Sequence, residues 1–179
     1  MSALLGCSSN PWQHAFMDAF HTLAEIAVAI AGFSSLAIVF RGRSSDWKGQ
    51  DYVSLAFAMC WSIGSVFFAL FPIVTAQFGV ELARSSQIGL FGIATYMLFI
   101  GVVLTFARRK IALAGGGSAG LSYGVSALFG VIVLGALTAG FGLLPGPTHG
   151  WFATAITLLM VHATAELGLL VVNVVRHSE

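Results

Sequence analysis

The chain reads as an all-α integral membrane protein, a bundle of five transmembrane helices, and three observations predict it. Hydrophobic residues make up 58% of the sequence and charged ones 8%, whereas a soluble domain carries about 25% charged residues. The apolar residues gather into five stretches of roughly 20, the length that crosses a bilayer's hydrocarbon core as a helix. None of them alternates with period two, as the strands of a membrane barrel would, and only helices or closed barrels satisfy their backbone in lipid.

Span one covers residues 17–39 and is interrupted by His21 and Glu25. Span two covers 53–78, inside an uncharged run from Tyr52 to Val80. Its Pro72 removes one amide and frees the carbonyl near Phe68, which predicts a kink. Span three covers 87–107 and is stopped by Arg108, Arg109 and Lys110. Span four covers 121–144, between the slack GGGSAG and the breaker PGP at 145–147. Gly130, Gly135 and Gly140 each stand four residues from another small residue, Ser126, Ala139 and Ala136 in turn. This spacing lets membrane helices approach closely, within one chain or between copies. Span five covers 151–175. Every connection is short, so residues 1–179 read as one transmembrane domain.

Seven of the eight basic residues fall on one side of this arrangement: Arg41, Arg43, Lys48, the triplet 108–110 and Arg176. Only Arg84 falls on the other. Positive loops stay cytoplasmic, so the amino terminus is expected outside and the carboxyl terminus inside. Trp12 and Trp151 suit the outer interface and Trp47 the inner one, while Trp61 lies mid-span and reads as packing or lipid contact. Cys7 follows LLG without a basic leader or a full apolar run, so no cleaved signal is expected. Cys60 reads as a small buried apolar residue.

Several functions are disfavoured. A net charge of +1 with no basic stripe gives nucleic acid nothing to bind. The two cysteines have no zinc spacing. GGGSAG is not followed by the lysine of a phosphate loop, the nearest lysine, Lys110, preceding the glycines, and no nucleophile elbow or HExxH is present. No catalytic residue is therefore assigned and no cofactor is expected.

What remains is a pair of matching motifs, HTLAE at 21–25 and HATAE at 162–166. Residues four apart share a helix face. From the outer edge, at 1.5 Å per residue, His21 lies about 6 Å deep, Glu25 about 12 Å, His162 about 16 Å and Glu166 about 22 Å. An ionised residue near a helix centre costs roughly 2.5–3.5 kcal/mol on insertion scales, so these groups are expected to face protein or water. Glu25 belongs to a polar and small stripe with Gly32 and Ser35. On span five the stripe continues to Asn173, and Thr95 and Tyr96 on span three add polar partners. If spans one and five touch, the four groups form one descending ladder.

That ladder carries the favoured functional reading, a proton- or small-cation-binding or translocating site, with Glu25 and Glu166 titrating and His21 and His162 as relays or counter-ions. The alternative is a non-catalytic structural or accessory subunit that associates through small-residue helix faces, with a second copy or another membrane protein as partner beside the lipid itself. A third reading places a metal at His21, Glu25, His162 and Glu166, although the spacing is not the ExxH of di-iron bundles. The stretch AEIAVAIAGFSSLAIVF at 24–40 resembles the first span of small, uncharacterised bacterial membrane proteins with an AE-I-A-V-A-x-A-G-F pattern, and LFP in span two extends the likeness. The resemblance implies a bacterial inner membrane and interest in Glu25. It implies no activity and does not include His21.

Overall fold

A computed structural model of the chain describes residues 11–41, 49–113 and 119–178, with side chains described for 14–36, 49, 51–111, 113 and 129–172. The described residues form five helices: α1 (Pro11–Arg41), α2 (Gly49–Gln77), α3 (Leu82–Leu113), α4 (Ala119–Gly140) and α5 (Thr148–Ser178). Four are long and apolar enough to cross a membrane, over His14–Leu36, Asp51–Gln77, Leu82–Ile111 and Thr148–Val172. In α4 the described apolar stretch is Phe129–Gly140. Cys7, Trp47, the basic residues 43 and 48, and the side chains of Trp12, Arg41, Ser126, Asn173 and Arg176 lie outside the described residues.

Three helices, α2, α3 and α5, pack against one another, with α1 laid mainly on α2 and α4 mainly on α3. The sequence explains why α2 is central. Asp51, Ser54, Ala58, Trp61, Ser65, Phe68 and Pro72 recur at alternating steps of three and four, and all are buried. Ser62 and Ser65 turn their hydroxyls back onto the carbonyls of Ala58 and Trp61 at 2.7 and 2.8 Å. Their polar atoms are thereby satisfied within the helix, and a small side chain is left where another helix must come close. The helix continues through Pro72 to Gln77, and Thr75 Oγ1 donates to the Phe71 and Pro72 carbonyls just beyond it.

Two helices stop earlier than apolarity alone predicts, for one shared reason. Gly79 and Gly142 have positive φ, 73° and 71°, a conformation open to glycine. Val80 N–H donates to the Thr75 carbonyl and Leu143 N–H to Thr138, with Gly79 and Gly142 donating to Ala76 and Ala139. This double bond pattern closes a helix around a left-handed residue. The Gly140 carbonyl, orphaned at the end of α4, accepts Gln87 Nε2 of α3 at 2.9 Å. Span four therefore ends at Gly140 rather than 144.

The glycines that pack are mostly not those picked by spacing. A Cβ on Gly64 would lie 2.5 Å from the Tyr96 ring, one on Gly89 would enter the Phe152 ring, and one on Gly101 the Phe129 ring. These glycines are sockets for aromatic rings from neighbouring helices. Gly140 is such a socket for Phe91, at 3.2 Å. Gly32, Gly130 and Gly135 have no atom of the described residues within 4 Å of a Cβ position. Spacing detects room on a helix surface, but whether a ring fills it depends on the neighbour.

Candidate functional site

Glu166 is fully buried, and its partner comes from a helix the sequence did not nominate. Arg108 of α3 donates through Nη2 to Glu166 Oε2 at 2.7 Å. The same nitrogen donates to Ser54 Oγ of α2 at 3.0 Å, and the guanidinium carbon lies 4.8 Å from the centre of the Phe57 ring. One buried cation thus ties together all three central helices. Arg109 and Lys110, the next two residues, are exposed. An arginine near a helix end usually reaches for water. Arg108 does the opposite and turns inward onto the Glu166 carboxylate.

One turn along α5, His162 is buried and meets the Trp61 indole edge to face, ring centres 5.6 Å apart. Trp61 is the hub of an aromatic cluster that also includes Phe57, Tyr96 and Phe129 at 5.9, 5.9 and 6.2 Å. Tyr96 donates its hydroxyl to the Cys60 carbonyl at 2.6 Å, joining α3 to α2. Thr95, its neighbour, is exposed. Four buried polar atoms in this interior have no hydrogen-bond partner among the described residues: Trp61 Nε1, His162 Nδ1, Glu166 Oε1 and Arg108 Nε. Asp51, also buried, lies one turn from Ser54 on the same face of α2.

The other HxxxE pair is placed differently. His21 and Glu25 are both exposed on α1. The buried face of that helix runs through Phe20, Ala24, Ala27 and Ser34, one position out of phase with the motif. Helices α1 and α5 do meet, through Phe16 against His149 at 4.1 Å and Phe20 against Phe152 at 5.7 Å. These contacts lie where both helices begin, and they involve the opposite edge of α1 from Glu25. The four groups therefore do not form one ladder. Among the described residues, no three of His, Cys, Asp and Glu come together as a metal would require, so the assumed four-ligand set is not assembled.

Helical phase on α3 carried the missed signal. Leu90, Ala94, Met97, Gly101, Leu104 and Arg108 recur at alternating steps of four and three. All are buried except the half-buried Leu104. Read as a loop, the basic triplet looks uniform; read as the last turns of a helix, it places its first member inside. No family model matches the chain, and no curated protein and no solved structure is similar to it.

Proposed function

We propose that this is a multi-pass protein of a bacterial inner membrane, with five spans, the amino terminus outside and the carboxyl terminus in the cytoplasm, that works as a non-catalytic structural or accessory subunit. The orientation is supported by the basic residues, seven of eight on one side. Membership of an assembly rests on one observation: α1 carries His21 and Glu25 on its exposed face inside a stretch apolar enough to span lipid. Ionisable groups turned toward acyl chains are expensive and ordinarily face protein or water, and a neighbouring helix would cover them.

The interior supports the same reading. A sodium or metal ion at Glu166 would have to share the carboxylate with a guanidinium already 2.7 Å away, and like charges repel. The pair is better suited to fixing how α2, α3 and α5 dock than to holding a mobile cation. A second reading, a proton-responsive centre at Glu166 and His162, is favoured by Glu166 Oε1 and His162 Nδ1, one turn apart, both buried and without a hydrogen-bond partner among the described residues.

A photo-crosslinking residue at Ala29 on the exposed face of α1, in the full chain in native membranes, tests the first reading. A polypeptide adduct is expected at Ala29 and none at Val103 on the exposed face of α3; labelling of lipid alone at Ala29 would overturn the proposal. Proteoliposomes test the second. Proton flux equal to that of empty vesicles is expected, and flux that Glu166→Gln abolishes would replace the first reading with the second.

A further inference from the structure

We infer that the partner of α1 is the α1 of a second copy of this chain, paired in parallel about a two-fold axis along the membrane normal. The inference rests on the accessory-subunit reading and names the occupant of the same face. Identical chains inserted the same way present the same surface to each other, and a two-fold interface must be self-complementary. The exposed edge of α1 meets that condition. It carries an imidazole donor at His21 and a carboxylate acceptor at Glu25, one turn or about 6 Å apart along the axis. In a parallel pair equal residues lie level, and the Glu25 side chain of each copy, leaning toward the amino terminus as helical side chains do, bridges the offset of about 6 Å to His21 of the other, making two equivalent contacts.

Neither side chain makes a hydrogen bond or ion pair among the described residues. The hydroxyls beside them are already engaged, Thr22 with the Asp18 carbonyl at 3.1 Å and Ser35 with Ala31 at 3.0 Å. Next along the edge come Ala29 and Gly32, both exposed, with no atom within 4 Å of a Cβ position at Gly32. Small residues there allow two backbones the close approach on which membrane helices depend for association. Among the described residues, the helices that pack substantially on α1 are α2 and α5, and His21 and Glu25 are exposed beside them. A partner of different sequence would need its own acid and base in matching order, whereas a second copy has them by identity.

The experiment uses the full chain in lipid vesicles with Cys7→Ser, Cys60→Ser and Ala29→Cys, oxidised to form disulfides. A band at twice the 18.8 kDa chain mass is expected for Ala29→Cys and not for Val103→Cys. Glu25→Gln is expected to weaken association about eightfold by single-molecule photobleaching, the factor that two interhelical polar contacts give in a membrane. The exchange H21E together with E25H keeps the edge self-complementary and is expected to restore association. No covalent dimer at Ala29, or weakening that the exchange leaves unrepaired, would overturn the inference. If Ala29 instead crosslinks a different polypeptide in native membranes, the second copy is wrong and the accessory-subunit reading stands. If it crosslinks no polypeptide at all, both fail.

Discussion

Replacing Glu166 with Leu is expected to destabilise the bundle by about 3–5 kcal/mol, the loss typical when one member of a buried ion pair is removed. The effect comes less from the lost contact than from what is left behind. Arg108 would keep its hydrogen bond to Ser54 and its place over Phe57, but neither neutralises a guanidinium sealed among three helices. Replacing both partners with apolar residues of similar volume, Arg108→Met with Glu166→Leu, removes the stranded charge and is expected to recover most of the loss. Reversible unfolding in mixed micelles measures both variants against the wild type. Equal stability of Glu166→Leu and wild type would mean that Arg108 escapes to water and that the pair is not enclosed.

Trp61→Ala is expected to cost a comparable amount, about 3–5 kcal/mol, for a different reason. Lipid is as apolar as the bundle interior, so transfer out of water contributes little and the loss is one of packing. Trp61 is fully buried, and its ring meets side chains from α2, α3, α4 and α5. Removing it leaves rings without facing atoms, and dispersion contacts across such a gap are forfeited. Trp61→Phe is expected to lose much less, because Nε1 has no hydrogen-bond partner among the described residues. The same unfolding measurement checks the order. A Phe variant as unstable as the Ala variant would show that the indole nitrogen, not ring volume, is what the site requires.

The helices were legible in the sequence because lipid imposes one rule on every residue of a span: it must be apolar or partnered. Length and composition reveal spans, but they do not reveal which way a helix is turned. That is why two copies of the same HxxxE spacing end in opposite environments. On α5 the motif falls in phase with Phe152, Ile156, Leu159 and Leu170, the buried face; on α1 it falls one residue away from Phe20, Ala24 and Ala27. A shift of one position on a helix is about 100°, enough to exchange core for surroundings. The partner of Glu166 was hidden by a second ambiguity, the end of α3. A basic triplet after an apolar stretch ordinarily marks water, and the extension of the helix to Leu113 is what carries Arg108 back inside. Gly64, Gly89 and Gly101 escaped notice because their partners are aromatic rings far away in sequence, while Gly130 and Gly135 drew notice through a spacing that meets no ring among the described residues.

The most direct test of the enclosed ion pair is a nitrogen–carbon correlation by solid-state NMR on the labelled full chain in bilayers. Contact at 2.7 Å between Arg108 Nη2 and Glu166 Oε2 requires a strong cross-peak between the guanidinium nitrogens and Glu166 Cδ, and none between the His162 ring nitrogens and Glu25 Cδ. The reverse pattern, with Glu25 correlated to His162 and Glu166 silent toward Arg108, would contradict the arrangement of the three central helices and return the two motifs to a single ladder.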